Sequence, residues 1–436
     1  MAFYSTNKQA PVANLKEAVV KGLAEDNGLF MPAHIPALPT SFFQHIEKLS
    51  LPEISLEVAA TLLQDEISRE ELRPIVEDSL NFDIPVVPVH DSIYSLELFH
   101  GPTHAFKDVG ARFMARLLAH FTKDVDKQLT VLVATSGDTG SAVAAGFLGV
   151  PGIEVVILYP SGKVSDIQEK QLTTLGQNIT ALEVDGTFDD CQFLVKKAFL
   201  DKDLNQKIQL TSANSINIAR LIPQSFYYHY AYAQVKEQGK EVVFATPSGN
   251  YGNITGGILA KRMGLPVHKF IAATNLNDVV PEYLHTGHFI PRPSAHTISN
   301  AMDVGNPSNF ARLMDMFDNS LENIREEIIG YSFTDTETRQ LMQQVYQQYN
   351  YMLDPHGAIG YGALQKYYGE ENQATGQIGI FLETAHPAKF IDVVESTIGQ
   401  PIAIPTNLQR LLHQEKVSVL LPNSYENLKE YLLSRA

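Results

Sequence analysis

The chain has 436 residues, and its 33 Lys and Arg against 49 Asp and Glu give a formal net charge of −16 at pH 7. At roughly 150 residues per domain, this length predicts two or three domains. The acidic surface argues against nonspecific binding of nucleic acids and anionic membranes, and the single cysteine, Cys191, excludes intrachain disulfides and multi-cysteine zinc sites.

The amino-terminal part of the chain is typical of a mostly helical module with short extended pieces. Apolar residues at helical spacing predict a helix over residues 54–71. Two prolines, Pro85 and Pro88, then predict a connection. We therefore predict an N-terminal module over residues 1–95.

The middle of the chain alternates predicted strands and helices. Short β-branched runs predict strands over residues 129–135, 154–159 and 179–184, and a helix is predicted over 166–175. The order strand, glycine-containing loop, helix, strand predicts a parallel sheet with buried strands. We assign residues 129–214 to a small domain on the substrate side.

The same order recurs further along the chain. Strands are predicted over residues 241–246, 269–274 and 378–382, and polar loops follow the first and the last of them. Open α/β sheets bind their ligands at the carboxyl ends of strands. These loops are therefore the places at which a functional site is expected.

The remaining segments complete a two-sheet α/β prediction. Residues 281–357 show no clear strand pattern and predict a mostly helical insertion, and the tail after Gln400 is expected to pack as an appendage. The large domain then consists of residues 96–128 and 215–436. The predicted fold class is α/β, with two parallel-sheet domains, an N-terminal module and a helical insertion.

The loop Ser248–Asn253 has the composition of a phosphate-binding turn. Its two glycines, Gly249 and Gly252, let several backbone N–H groups converge, and the helix that follows adds its positive dipole end. It matches neither a Walker A loop nor the Gly-x-Gly-x-x-Gly pattern. The alternative, which the sequence leaves open, is an ordinary turn between strand and helix.

A second loop, Ser136–Gly140, has the same position between strand and helix and contains more hydroxyl groups. Its Ser, Thr and Asp side chains could simply cap the helix. They could instead bind a carboxylate. Two such loops in one chain favour a ligand site over capping alone.

Lys107 is the most informative residue of the sequence. It follows a Gly-Pro turn and begins an amphipathic helix, an unfavourable end for a cation. The dipole and the nearby Phe99 and Phe106 predict a lowered pKa for Lys107, which a Schiff-base lysine requires. The alternative is a surface lysine paired with Asp108.

Other candidate motifs point to no further chemistry. Gly101-Pro102 makes a shared helical face for His100 and His104 implausible, so no metal site is predicted. His386 is expected to be structural or to act behind the site. The aromatic run 226–230 lacks basic residues, which favours core packing over base stacking.

Together these motifs resemble the threonine synthase family of pyridoxal-phosphate enzymes, in its longer bacterial and fungal type. The resemblance runs from Tyr4 to about Thr397 and implies two three-layer parallel-sheet domains of the tryptophan-synthase-β fold type. The motifs that carry it are Phe99–Thr103 with Ala105–Asp108, Ala134–Gly140, Ser212–Asn217 with Arg220, Pro247–Gly252, and Thr384–Lys389.

The resemblance implies roles for residues that would bind pyridoxal 5'-phosphate. Lys107 would form the Schiff base and carry protons, and Thr384 would meet the pyridine nitrogen through a neutral hydroxyl. Asp138 would contact the ring hydroxyl, although many relatives of this fold carry Asn at that position. The cofactor phosphate would be held by Gly249, Asn250, Tyr251, Gly252 and Asn253.

The resemblance also implies the substrate, O-phospho-L-homoserine, which γ-elimination and β-hydration would convert to L-threonine and phosphate. Thr135, Ser136 and Thr139 would meet its carboxylate. Lys163 is either a phosphate ligand that swings in as the protein closes or a surface lysine. The other expected phosphate ligands are Asn214, Asn217 and Arg220.

Two alternatives to this function remain at the level of the sequence. One is another lyase of the same fold, a dehydratase or phospholyase that releases a keto acid, and the other is a silent cofactor-binding protein. No apolar run approaches the ~18 residues of a membrane span, and the amino terminus lacks a secretory pattern. We therefore expect a cytoplasmic enzyme with a small-molecule substrate, without nucleic-acid or membrane partners and of unknown oligomeric state.

Overall fold

A computed structural model of the chain describes residues 1–63, 66–123, 128–371 and 376–435. It confirms an α/β fold built on parallel strands. The chain divides into two compact units. Unit 1 contains Met1 with residues 31–106 and 221–403, and unit 2 contains residues 2–30, 107–220 and 404–436. None of the described helices is long and apolar enough to span a membrane.

The strands of the described residues are β1 (Phe3–Ser5), β2 (Phe30–Pro32), β3 (Val86–His90), β4 (Ile93–Glu97), β5 (Leu129–Ala134), β6 (Ile153–Pro160), β7 (Ile179–Val184), β8 (Gln209–Ser212), β9 (Glu241–Pro247), β10 (Lys269–Thr274), β11 (Ile328–Ser332), β12 (Gln377–Glu383) and β13 (Val419–Leu421).

The α-helices are α1 (Leu15–Lys21), α2 (Thr40–His45), α3 (Leu51–Leu63), α4 (Arg69–Ser79), α5 (Lys107–Thr122), α6 (Asp138–Phe147), α7 (Asp166–Thr173), α8 (Phe188–Leu200), α9 (Lys202–Lys207), α10 (Ile218–Leu221), α11 (Phe226–Val235), α12 (Gly252–Arg262), α13 (Val279–Thr286), α14 (Phe310–Met316), α15 (Leu321–Glu327), α16 (Asp335–Tyr349), α17 (Pro355–Glu371), α18 (Ile391–Ile398), α19 (Thr406–Leu412) and α20 (Tyr425–Leu433).

Unit 1 is organised around a six-stranded sheet in the order β11-β10-β9-β12-β4-β3. All neighbours are parallel except β3 and β4, which pair antiparallel. Alternate residues of the central strands face opposite sides. Val243 packs in the cluster that contains Ala358 of α17, whereas Phe244 packs edge-on against Tyr228 of α11. Helices therefore cover both faces, which buries β9, β10 and β12.

Unit 2 is organised around a five-stranded parallel sheet in the order β13-β7-β6-β5-β8. Leu132 and Val156 face the cluster formed with α8 and α20. Their neighbours Val131 and Val155 point to the other side and are also fully buried. This unit is therefore a three-layer arrangement, with the loops after β5, β6 and β8 at the carboxyl edge of the sheet.

The structure differs from the prediction in three segments. The predicted helix over 54–71 is two helices, α3 and α4, with residues 64 and 65 outside the described residues. The predicted helical insertion contains a strand, β11, which pairs in parallel with β10. The tail after Gln400 is part of a sheet rather than an appendage, because β13 pairs with β7.

The predicted domain boundaries also differ from the observed units. Residues 404–436 were assigned to the large domain, but they belong to unit 2 together with residues 2–30. Of the predicted N-terminal module, residues 2–30 lie in unit 2 and residues 31–95 lie in unit 1. A sequence pattern reports local periodicity, whereas these assignments depend on pairing between residues that are hundreds of positions apart.

A partly buried ion pair anchors the carboxyl-terminal segment within unit 2. The Lys416 Nζ atom lies 2.7 Å from an oxygen of Glu169 and 2.7 Å from an oxygen of Glu183. Burial alone would raise the pKa of Glu183, but the hydrogen bonds from Lys416 and Ser161 lower it to about 2. Glu183 therefore stabilises the fold as a carboxylate, and this contribution disappears as the pH falls from about 4.5 towards 2.

Replacing Lys416 with methionine is expected to reduce the free energy of unfolding at pH 7 by about 1 kcal/mol, a value discounted because the lysine side chain is one-third exposed. The difference between variant and wild type should shrink at about pH 3, where Glu183 begins to take up its proton. Urea unfolding at the two pH values measures it. An equal loss at both would mean that packing, not charge, explains the effect.

Candidate active site

The predicted site residues lie in both units and are described unit by unit. In unit 1, the turn from Gly101 to Phe106 leads towards Lys107. The Phe106 N–H donates to the carbonyl oxygen of Thr384 at 2.8 Å, and Ala105 pairs with Ala385. His104 has φ of 57°, a left-handed conformation that no continuous helix contains. The prediction that His100 and His104 share no helical face is confirmed.

Helix α5 of unit 2 begins at Lys107, as predicted. Lys107 is half-buried, and Asp108 beside it is fully buried. Burial lowers the pKa of Arg220 to about 10, and the charge of Asp108 opposes that shift. Asp108 therefore serves as a counter-charge for a buried arginine.

The loop after β5 in unit 2 is held by the Thr135 hydroxyl. Its Oγ1 accepts hydrogen bonds from the N–H groups of Gly137 at 3.0 Å and Gly140 at 2.8 Å. Gly137 has φ of 139°, a conformation that L-residues rarely adopt. Thr135 thus shapes the loop, while Ser136 and Thr139 remain half-exposed and accessible to a ligand.

Asp138 is the first residue of α6, and its side chain is tied to the neighbouring helix. The Gln168 Nε2 atom donates to Asp138 Oδ1 at 2.8 Å, and both side chains are buried. A Cβ atom on Gly137 would come within 2.5 Å of the Gln168 side chain. Gln168 therefore fixes the orientation of the Asp138 carboxylate. Sequence reasoning missed this residue, which stands 30 positions away.

The predicted phosphate ligands of unit 2 differ in their exposure and in the hydrogen bonds that they already make. Lys163 is exposed, on the turn that follows β6. Asn217 is fully buried, and its amide donates to the carbonyl oxygens of Val19 and Ser212. Asn214 donates to the carbonyl oxygen of Ala134 at 3.0 Å.

Arg220 is also engaged within unit 2. It is buried, and its Nη1 donates to the carbonyl oxygen of Ala213. A Cβ atom on Gly110 would lie 3.0 Å from its Nε atom, so α5 packs directly against the guanidinium. In the structure, Lys163 is therefore the member of the predicted set that is exposed to solvent.

In unit 1, the turn that begins at Ser248 connects β9 to α12, as predicted, and the helix begins at Gly252, one residue before the predicted end of the loop. Tyr251 has φ of 63°, a strained conformation for a bulky residue that is typical of functional sites. A Cβ atom on Gly249 would lie 2.7 Å from the Met302 Cα atom. The chain therefore requires glycine at position 249, because a backbone segment lies against it.

Asn253 has a donor that no described residue uses. Its Oδ1 atom accepts hydrogen bonds from the Tyr227 hydroxyl at 2.6 Å and the Tyr228 hydroxyl at 2.9 Å. Its Nδ2 atom is buried and has no partner among the described residues. Asn250 instead holds the next loop, since its Oδ1 accepts from the Ser308 N–H at 2.6 Å. The two tyrosines thus orient the Asn253 amide at the start of a helix, where an anion is favoured.

The tyrosine pair shows both what the sequence predicted and what it missed. Tyr227 and Tyr228 pack in the core, as predicted for the aromatic run. Their hydroxyls need partners when buried, and that requirement is the signal that could have linked them to a polar residue of the loop. Which residue they would bind depends on how α11 packs against α12.

Thr384 follows β12 and is almost completely buried. His386, two residues later, accepts a hydrogen bond from the Ala388 N–H at its Nδ1 atom. Burial, with a smaller effect of His104, lowers the pKa of His386 to about 4, so its ring is neutral near pH 7. Within the described part of the chain, no group of three or more His, Cys, Asp or Glu side chains could hold a metal ion.

Known proteins are similar to this chain along its whole length. The family described as "Pyridoxal-phosphate dependent enzyme" matches residues 87–381. The families "Threonine synthase N terminus" and "Threonine synthase, C-terminal" match residues 2–80 and 357–432. Threonine synthase of Escherichia coli strain K12 is 41% identical over 435 residues, with 100% of both chains covered.

Two solved structures extend the similarity to three dimensions. The crystal structure of threonine synthase from Escherichia coli has a TM-score of 0.93, with both chains covered completely. The pyridoxal-phosphate-bound threonine synthase from Brucella melitensis also has a TM-score of 0.93, at 34% identity, and covers 100% of this chain and 99% of that one. The resemblance seen in the motifs is confirmed, and the chain belongs to the threonine synthase family of pyridoxal-phosphate-dependent enzymes.

Proposed function

We propose that the protein converts O-phospho-L-homoserine and water into L-threonine and phosphate, by γ-elimination followed by β-hydration. The observation that carries this proposal is the full-length similarity to threonine synthases at 41% identity. We further propose a cytoplasmic location and a small-molecule substrate, without nucleic-acid or membrane partners. The single, buried Cys191 is typical of a protein in a reducing compartment.

The residues of the Ser248–Asn253 turn fit the phosphate of pyridoxal phosphate. The helix start offers N–H groups that no intrahelical carbonyl uses, and the buried Asn253 amide offers a further donor. Gly249 leaves the backbone free of a side chain where it is closest to Met302. We assign the phosphate to Gly249, Asn250, Tyr251, Gly252 and Asn253.

Lys107 is proposed to bind the aldehyde of the cofactor, and Thr384 is proposed to bind its ring nitrogen. When bound, pyridoxal phosphate supplies an electron sink that stabilises negative charge on the substrate carbon beside the amine. The Lys107 amine would hold the cofactor aldehyde covalently; once the substrate amine displaces it, the freed Lys107 amine would move protons at the Cα and Cβ atoms of the substrate. The Thr384 hydroxyl binds the ring nitrogen without contributing a charge.

The loop after β5 is proposed to bind the substrate carboxylate. Ser136 and Thr139 are half-exposed, so their hydroxyls are available as donors. Thr135 already accepts two backbone hydrogen bonds and therefore acts by holding the loop in shape. Asp138, oriented by Gln168, is proposed to contact the cofactor ring hydroxyl.

The substrate phosphate needs cations or donors, and Lys163 is the proposed principal ligand. It is exposed on a turn in which Gly162 has φ of 65°. Asn217 and Arg220 hold backbone carbonyls of their own unit and are proposed to contribute by fixing the loop after β8, together with Asn214.

Replacing Lys163 with alanine is expected to lower kcat/KM for phosphohomoserine by about 10- to 100-fold, the effect of one lost charge-assisted hydrogen bond. The Lys163→Arg variant should recover most of this loss, because it retains the positive charge. Steady-state kinetics at constant ionic strength measure both. Unchanged kinetics for Lys163→Ala would show that Lys163 is a surface lysine.

The reaction itself is tested by the products of the purified protein with pyridoxal phosphate and phosphohomoserine. We expect phosphate and threonine in equal amounts. Phosphate with an equal amount of 2-oxobutyrate would instead identify a phospholyase that releases a keto acid. Neither product would mean that the protein binds the cofactor without this activity.

A further inference from the structure

Two buried acidic residues of unit 1, Glu383 and Asp354, are joined by a hydrogen bond, and Glu383 directly precedes Thr384 in the chain. Glu383 is the last residue of β12, Asp354 precedes α17, and both are fully buried. The Asp354 N–H donates to Glu383 Oε1 at 2.6 Å. Glu383 Oε2 and Asp354 Oδ2 are buried and have no hydrogen-bond donor among the described residues. A side-chain hydrogen bond with Asp354 is one of the causes that raise the pKa of Glu383.

The other oxygen of Asp354 is occupied by His356. Asp354 Oδ1 accepts from the His356 N–H at 2.6 Å and lies 2.6 Å from His356 Nδ1. The His356 Nε2 atom accepts from the Ala301 N–H at 3.3 Å, so it carries no proton. The neutral ring therefore has its proton on Nδ1 and donates to Asp354 Oδ1.

One proton between Glu383 Oε2 and Asp354 Oδ2 gives both buried oxygens a hydrogen-bond partner. If both acids were ionised, two negative charges would face each other without solvent. Burial, the charge of Asp354 and, to a smaller extent, that of Glu97 raise the pKa of Glu383 well above its usual range. The arrangement is therefore a Glu383 hydroxyl that donates to the Asp354 carboxylate, which also accepts from the His356 ring.

The hydrogen bonds of Glu383, Asp354 and His356 reach the two segments of unit 1 that are proposed to bind the cofactor. These segments are Thr384 and the turn that contains Gly249. Glu383 is bonded to Thr384 along the chain, and its own carbonyl oxygen accepts from the Leu98 N–H at 3.0 Å. His356 holds Ala301, whose carbonyl oxygen and whose neighbour Met302 form the wall against Gly249.

We propose that Glu383 and Asp354 share one proton and that this carboxyl pair, extended by His356, positions Thr384 and the Gly249 turn for cofactor binding. Glu383 is thus a positioning residue that acts through Thr384. The Glu383 carboxyl group also requires glycine at position 357, because a Cβ atom there would lie 1.4 Å from Glu383 Oε2. The positioning role rests on the proposed function, whereas the shared proton does not.

The test combines unfolding of the cofactor-free protein with titration of pyridoxal phosphate into it. In Glu383→Gln, the amide can donate to Asp354 and accept from the Asp354 N–H. We expect a melting temperature within about 2 °C of wild type and little change in cofactor affinity, because every hydrogen bond persists. Glu383→Leu should melt several degrees lower and bind pyridoxal phosphate about tenfold more weakly, since Asp354 loses its donor.

A double-mutant cycle isolates the shared proton. Asp354→Asn alone can donate to a Glu383 carboxylate, but Glu383→Gln combined with Asp354→Asn places two NH₂ groups against each other. The double variant should therefore lose more stability than the two single variants together. Strict additivity, or a Glu383→Gln variant as unstable as Glu383→Leu, would overturn the shared proton.

Cofactor titration decides the positioning role separately. Equal affinity of wild type and Glu383→Leu for pyridoxal phosphate would overturn positioning and leave the pair as a structural feature. If the wild type itself fails to bind pyridoxal phosphate, the proposed function and the positioning role both fail. The unfolding cycle, which uses no cofactor, then still decides whether the proton is shared.

Discussion

Replacing Lys107 with alanine is expected to abolish threonine formation, by a factor on the order of 10⁴ or more, since proton transfer by a positioned side chain alone contributes about 10²–10⁴. Lys107 is half-buried at the first position of a 16-residue helix. Alanine is a good helix former, so the fold should persist while covalent attachment of the cofactor is lost. Threonine release from phosphohomoserine measures the effect.

Chemical trapping identifies the attachment residue independently of activity. Borohydride reduction of the wild type with pyridoxal phosphate, followed by peptide mass mapping, should place the label on Lys107 and on no residue in Lys107→Ala. Lys123, which is exposed just after the end of the same helix, provides the matched control. Its alanine variant should keep both label and turnover. A label on another lysine in the wild type would contradict the assignment.

The elements around the predicted site follow from local sequence. The strand predicted over 179–184 and the strand predicted over 269–274 have the observed limits, and the helix predicted to start at Lys107 does so. Each of the two strands is a mostly buried run that ends at a polar or glycine-containing turn, and such a signal is confined to about ten residues. Such signals also located the two loops that carry most of the proposed ligands.

What the sequence does not contain is the pairing of distant residues. β11 has only five residues, and its neighbours in sequence are helical, so its place beside β10 depends on the completed sheet. β13 has only three residues and joins β7 across more than 200 positions. Strands this short gain their stability from a partner that local patterning cannot identify.

The same limit applies to the residues behind the site. Asn217 resembles a ligand in its motif, yet its amide binds the carbonyl oxygen of Val19, 198 positions away. Glu383 and Asp354 look like ordinary acidic residues at the edges of elements. Only their burial against each other reveals a pair that holds a proton, because pKa values depend on the surroundings rather than on residue type.

Replacing Asn253 is expected to have the second large effect, which is a loss of affinity for the cofactor. Asn253→Asp replaces the free Nδ2 donor with a charged oxygen at the proposed phosphate site. We expect pyridoxal phosphate to bind about 100-fold more weakly, because a charge-assisted hydrogen bond is lost and a like charge is added. Asn253→Ala removes the donor without adding charge, and its expected loss is about tenfold. Equilibrium titration measures both.

The aspartate variant should fold normally. Tyr227 and Tyr228 can donate to a carboxylate as they do to the Asn253 amide oxygen, and a negative charge near the start of α12 is favoured by the helix dipole. Asn323→Asp, which adds the same charge on the exposed surface of α15, controls for net charge and should leave affinity unchanged.

Pyridoxal without its phosphate separates the proposed contact from a general disturbance of the site. Because the repulsion requires the phosphate, Asn253→Asp should bind pyridoxal as well as the wild type does, while its affinity for pyridoxal phosphate falls. An equal loss for both ligands would mean that Asn253 shapes the turn and does not contact the phosphate. The comparison thus tests one hydrogen-bond donor that the structure leaves without a partner among its described residues.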